Sequence, residues 1–175
     1  MSATGPAARR RVELPDGSEL VVRAIEPADR ELLLEGFREL SPQSRYTRFF
    51  TPMRTLDSGW LDYLTRVDHH DHEALVAETA TAGEPVGVAR YIRLQGRPAT
   101  AEVAVTVIDE WQGRGAGSAL LALLSSRARN EGIDWFHATC LAENHAVLEL
   151  FRGFSAVRSE RTEGNVVEID MALPD

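Results

Sequence analysis

A glycine-rich passage between an apolar strand and an amphipathic helix constrains this chain more than any other feature. It reads Ala101-Glu-Val-Ala-Val-Thr-Val-Ile-Asp-Glu-Trp-Gln-Gly-Arg-Gly-Ala-Gly117, then Ser118-Ala-Leu-Leu-Ala-Leu-Leu-Ser-Ser-Arg-Ala128. Gly113, Gly115 and Gly117 let the chain turn sharply and let an anion approach the backbone. The first N–H groups of the helix have no intrahelical partner and carry the positive end of its dipole, which makes a phosphate seat. A triphosphate-binding loop needs Lys and then Ser or Thr after its second glycine. The chain contains no lysine, so that reading is excluded. A dinucleotide fingerprint, G-x-G-x-x-G with an acid further on, is matched by Gly113 and Gly115; Ser118 stands at its third place, and Asp134 could supply the acid. A third pattern is Q-x-x-G-x-G over Gln112 to Gly117. An ordinary strand-to-helix turn is the plain alternative, but three alternate glycines each cost conformational entropy that an unliganded turn seldom requires.

The length of 175 residues suits one domain. A formal charge of −8 with a pI of about 5.2 argues against a general nucleic-acid surface and tolerates a cationic substrate. One cysteine, Cys140, excludes an internal disulfide and fits a reducing compartment. No apolar run approaches the roughly 20 residues of a membrane span. Met1 to Arg11 has no apolar signal-peptide core, so a cytoplasmic location is expected.

Residues 1–16 read as a flexible tail and 17–173 as a single domain. Glu19 to Ile25 alternates as a first strand. Leu33, Leu34, Phe37 and Leu40 recur at helical spacing up to Ser41-Pro42. Tyr46, Phe49 and Phe50 form one face of a second helix. Thr55 to Val67 reads as a third, with Trp60, Leu61, Leu64 and Val67 as its buried stripe. His69, His70 and His72 lack a second cluster of ligands, and no metal site is expected. Glu73 to Thr79 and Val86 to Leu94 read as a hairpin, and Gln95-Gly-Arg-Pro98 as a turn into the strand Thr100 to Ile108. Beyond the glycine helix come a strand at Ile133 to Leu141, a short helix at Asn144 to Arg152, and a closing hairpin of Ser155 to Glu160 with Val166 to Leu173. Hairpins give antiparallel pairing and strand-helix-strand passages give parallel pairing, so the expected fold is α/β, with a mixed, mostly antiparallel sheet and helices on both faces.

The strand and Gln112-Gly-Arg-Gly-Ala-Gly117 together resemble the pyrophosphate loop of the GNAT acyl-CoA N-acetyltransferases. A second block, Glu143-Asn-His-Ala-Val-Leu-Glu-Leu-Phe-Arg-Gly-Phe154, resembles that family's Asn, amphipathic helix, Gly-Phe segment. Leu40-Ser-Pro-Gln-Ser-Arg-Tyr-Thr-Arg-Phe-Phe50, Ala74-Leu-Val-Ala77 and Ala101-Glu-Val-Ala104 are most similar to the bacterial Pat-type protein lysine acetyltransferases. The resemblance implies acetyl-CoA as co-substrate, without a metal, and a protein lysine as acceptor. It implies that backbone groups of Val105, Thr106 and Val107 hold the pantetheine arm. Gln112, Gly113, Arg114, Gly115, Ala116, Gly117 and Ser118 would make the pyrophosphate seat, Asn144 would touch the pantetheine and Arg152 a phosphate. Asn144 could equally be a helix cap, and the first helices would wall the acceptor site.

Glu102 is the candidate for chemistry. In an alternating strand Glu102, Ala104 and Thr106 share one face, opposite Ala101, Val103, Val105 and Val107. An amine with a pKa of about 10.4 must lose its proton before attacking, and a carboxylate nearby can accept it. The resemblance implies a catalytic Glu at this position; the alternative is a surface strand residue. Many family members carry a Tyr in the last helix as general acid. Here Leu150 is followed by Phe151, and Gly153-Phe154 arrives two residues early, so the departing thiolate depends on water or a backbone dipole. Cys140 reads as a buried structural thiol, not an acetyl carrier. Other open readings are acetylation of a small amine or a protein N-terminus, a non-catalytic acyl-CoA-binding regulatory module, and a dinucleotide-binding domain.

Overall fold

The computed structural model describes residues 8–175. Its strands are β1 (Arg10–Glu13), β2 (Glu19–Ala24), β3 (His72–Thr79), β4 (Pro85–Leu94), β5 (Arg97–Val107), β6 (Trp135–Leu141), β7 (Val157–Glu163) and β8 (Val166–Ala172). Its helices are α1 (Arg30–Glu39), α2 (Pro42–Phe49), α3 (Ser58–Thr65), α4 (Ala116–Asn130) and α5 (His145–Phe154). All eight strands join one sheet in the order β1-β2-β3-β4-β5-β6-β8-β7. Only β5 and β6, which flank the glycine loop and α4, pair in parallel. The mixed, mostly antiparallel sheet read from the connections is therefore present.

Alternation within the strands assigns the two faces. In β3, Leu75 and Ala77 join the cluster under α4, whereas Ala74 and Val76 pack with Leu32 and Leu33 of α1 on the other side. Leu120, Leu121, Leu124 and Ala128, spaced along one stripe of α4, are all fully buried against that first face. Burying each such leucine contributes roughly 1.5–3 kcal/mol relative to exposure, so this face carries most of the core. On the second face α1 and α3 bury Phe37, Leu40, Leu61 and Leu64 together with Ile108.

Several local readings needed correction. Residues 10–13 are not tail but edge strand β1, paired with β2 from Arg10↔Val22 to Glu13↔Glu19; residues 1–7 of the expected tail lie outside the described residues. Trp60 is 40% exposed instead of buried, because α3 is only eight residues long and its inward stripe is Leu61, Leu64 and Thr65. Phe50 caps α2 in a left-handed conformation, φ 58°, and is also exposed, so Phe49 alone of that pair packs inward. Strand β5 begins at Arg97, since Leu94 already pairs with Arg97 across Gln95-Gly96. The closing hairpin likewise turns on Gly164-Asn165, and α5 continues to Phe154.

The three neighbouring histidines face different partners. His69 bonds Glu73 at 2.8 Å, His70 bonds Glu131, and His72 lies 3.0 Å from Arg90. Among the described residues no group of three or more His, Cys, Asp or Glu could hold a metal ion.

Candidate active site

Strands β5 and β6 part soon after they meet. Their parallel pairing covers Thr100, Ala101 and Glu102 against Trp135, Phe136 and His137, after which β5 continues beside β4 and β6 beside β8. From Val103 to Val107 one edge of β5 therefore has no strand beside it, and peptide groups there are available to a ligand. A cleft of about 500 Å³ occupies this divergence, within the usual size of small-molecule sites. Its walls are Glu102 to Val107, Gln112, Gly113, Gly115, Gly117 and Ser118 of the glycine loop, Thr139 and Cys140 of β6, and the head of α5. Ser44, Thr47, Arg48 and Phe50, contributed by α2 and its cap, close one side.

The glycine loop sits at one end of this cleft. Gly113 has φ 72° and Gly115 φ 95°, a region that L-residues enter only at a cost, and Gly115 is the N-cap of α4. No side chain caps this helix, and Ala119 makes its first bond back to Gly115. The amides of Ala116, Gly117 and Ser118 thus precede the first intrahelical bond. Gly117 is helical, and its reason is packing: an added Cβ would stand 3.2 Å from Leu150 of α5 and 3.6 Å from Val107. Gln112 is tied to the strand end by donating from Nε2 to the Val107 carbonyl at 3.0 Å.

The side chains of the two expected phosphate-binding arginines are engaged elsewhere. Arg114 donates to Asp16 and Ser18, both at 2.8 Å, and stacks 3.8 Å over Trp111, so it braces the loop against the β1–β2 turn. The Ser18 hydrogen bonds and Arg114 hold the Asp16 carboxyl down at about 2. Arg152 bonds Glu160 of β7 through Nε at 3.0 Å and through its terminal nitrogen, and is not among the cleft residues. Asn144 is the helix cap considered for it. Its Oδ1 accepts from Val147 N–H at 3.4 Å as the N-cap of α5, and the residue borders the cleft. Ala116 is buried and does not line the cleft.

Glu102 is exposed and lines the cleft at the point where the strands part. Arg48 of α2 is near enough for its charge to interact with Glu102. Behind them, Ala104 and Thr106 face a recess of about 80 Å³ under α1 and α2, which also holds Arg48 and Arg90. Burial and the neighbouring Arg48 push Arg90 down to about 9. Cys140 is 4% exposed, and burial pushes its thiol up to about 12, which disfavours the nucleophilic thiolate. The contribution of α2 was anticipated from the Leu40–Phe50 resemblance, whereas Thr139 of β6, which also lines the cleft, carries no local motif and was not legible in the sequence.

Residues 31–154 match the acetyltransferase (GNAT) family. Acetyltransferase Pat of Mycolicibacterium smegmatis is 36% identical over 166 residues, spanning 94% of this chain and 49% of the relative. The chain thus covers about half the length of that protein. Acetyltransferase PA5475 of Pseudomonas aeruginosa is 31% identical over 141 residues, 78% of this chain and 74% of the relative. The crystal structure of the GNAT domain of S. lividans PAT superposes with a TM-score of 0.86 at 32% identity, covering 94% of this chain and 97% of that one. With the match running from α1 through the glycine loop to the end of α5, the chain belongs to the GNAT family of acetyltransferases.

Proposed function

We propose that this domain transfers an acetyl group from acetyl-CoA directly to the side-chain amine of a protein lysine. The observation that carries the reading is the coincidence, in one cleft, of an unpaired strand edge, an uncapped helix head and an exposed carboxylate at the strand fork. Main-chain groups of Val105, Thr106 and Val107 suit the amide-bearing arm of the donor. The backbone of Gly113 to Ser118 suits its diphosphate. Glu102 accepts a proton from the acceptor ammonium, directly or through one water, and the freed amine attacks the thioester carbonyl. The C–S bond then breaks, and the thiolate leaves without a tyrosine at its side: Phe151 follows Leu150 in α5, and among the described residues no tyrosine lines the cleft. The lysine assignment is supported by the similarity to Pat proteins.

A second reading, acetylation of a small amine, is favoured by the recess beyond Ala104 and Thr106, whose two arginines suit an acceptor that also bears an anion. Purified protein with acetyl-CoA, lysine peptides and small amines separates the two by thiol release and mass spectrometry. Transfer confined to small amines defeats the lysine assignment; tight acetyl-CoA binding without transfer to any amine defeats catalysis. The chain's lack of lysine keeps acetyl-lysine signal in such mixtures to the acceptor.

A further inference from the structure

Four polar residues lie side by side across the sheet, one on each of four successive strands. Glu102 of β5 is in register with His137 of β6, His137 with Asp170 of β8, and Asp170 with Ser159 of β7. Laterally paired residues project from the same face of a sheet. Burial agrees, since the preceding pair, Ala101 and Phe136, is fully buried on the α4 side. Three of the four are joined directly. His137 Nδ1 lies 2.8 Å from Asp170 Oδ1, and Ser159 Oγ donates to Asp170 Oδ2 at 2.8 Å. Thr139, the next β6 residue on this face, borders the cleft.

The arrangement fixes the imidazole. An ionised Asp170 accepts, so Nδ1 carries the proton and Nε2 presents its lone pair. The hydrogen bonds from His137 and Ser159 hold the Asp170 carboxyl below its usual range against the opposing effect of burial. His137 keeps 19% side-chain exposure, enough to exchange protons with solvent. Its register places it one strand spacing, about 4.8 Å between backbones, from Glu102. No direct bond to Glu102 is made, so a proton moving between the two side chains travels through water.

We propose that His137, oriented by Asp170, is a positioning and proton-relay residue for Glu102. This rests on the acetyltransferase reading above and deepens it. The acceptor ammonium gives one proton to the Glu102 carboxylate; that proton passes through water to His137 Nε2 and then to bulk solvent, restoring the carboxylate. The amine nitrogen forms the new C–N bond as the C–S bond breaks, and its remaining extra proton neutralises the departing thiolate. The charged groups that bear on this relay are Glu102, Asp170, Arg97, whose charge reaches Asp170, and Arg48, whose charge reaches Glu102.

Two measurements test the relay. In steady-state kinetics between pH 6 and 10, His137→Gln should lower kcat roughly ten- to hundredfold with acetyl-CoA KM changed less than twofold, and should displace the acidic limb of the profile. Asp170→Asn should produce a smaller loss in the same direction. Combined with Glu102→Gln, His137→Gln should add little, because both act on one proton. An unchanged pH profile, or a fully additive double variant, overturns the proposal. The second readout needs no turnover. In ¹⁵N-imidazole NMR, His137 should be the Nδ1–H tautomer, and Glu102→Gln should shift its ring-nitrogen resonances through loss of the neighbouring carboxylate. A His137 in the Nε2–H form, or one indifferent to Glu102, refutes the relay even if no acceptor is ever found. Absence of transfer to every amine with the NMR coupling intact instead counts against the acetyltransferase reading alone. Circular dichroism melts of each variant guard against misfolding.

Discussion

Replacing Gly115 by Ala separates what the glycine loop does for the fold from what it does for a ligand. At φ 95° and ψ 0° an L-residue is disfavoured by about 1–2 kcal/mol. The added Cβ would also stand 3.1 Å from Cδ of Pro15 in the β1–β2 turn. A destabilisation of about 1–2 kcal/mol corresponds to a fall in Tm of roughly 2–8 °C for a domain of this size. If the residue instead relaxes out of the left-handed region, the amides at the head of α4 are re-aimed. Loss of one charge-assisted hydrogen bond, about 1.5–3 kcal/mol, weakens a phosphate ligand roughly ten- to hundredfold. Gly117→Ala is the internal control: it has no φ penalty, and its helix-propensity gain of about 1 kcal/mol opposes the contact with Leu150, so its Tm should move by less than about 4 °C. Thermal melts and calorimetric titration with acetyl-CoA read both quantities. A Gly115→Ala protein that melts and binds like the parent would show that neither strain nor amide direction matters at this loop.

Glu102→Gln should lower turnover by roughly 10² to 10⁴ with little change in acetyl-CoA affinity; initial rates that match the parent would remove it from the mechanism. His72 is held down to about 4 by burial and by Arg90, below its ordinary value near 6.5. The unfolded chain therefore binds more protons between those values, and stability should decline by roughly 1–2 kcal/mol as pH falls from about 6.5 to 4, after allowance for the partial exposure of this ring. His72→Gln should flatten that part of the urea-denaturation profile, and a profile unaltered by the substitution disproves the assignment. Cys140 should react with iodoacetamide at pH 8 far more slowly than a free thiol, by at least about tenfold, and mass spectrometry of a time course checks this. Gly87→Ala should be severely destabilising, because its Cβ would lie 2.7 Å from the Thr106 carbonyl in the facing strand; a soluble variant of normal Tm contradicts the β4–β5 register.

What could be read in advance was whatever depends on residues close in sequence. The strand-loop-helix passage announced itself, because glycine spacing and helical periodicity are local properties, and the face assignment of Glu102 followed from strict alternation. The fates of Arg114 and Arg152 were not legible. Each is claimed by a carboxylate, Asp16 or Glu160, whose proximity is created by folding. Edge strand β1 was hidden for a related reason: four residues, three of them charged, form a strand only because β2 offers its edge. Trp60 was misjudged because periodicity marks a stripe without saying how wide the buried part is. The Glu102 to Ser159 ladder could not be seen at all, since it exists only in the register of four strands that span much of the chain.

The fork between β5 and β6 means that the interior of this sheet ends in a ready template for strand addition. If the donor arm docks here as proposed above, it is recognised through peptide groups, so substitutions at Val105 or Val107 that keep the backbone in place should leave its binding intact. The same mode of recognition invites trespass. A short extended peptide with suitably alternating N–H and C=O groups should compete with the coenzyme for this edge.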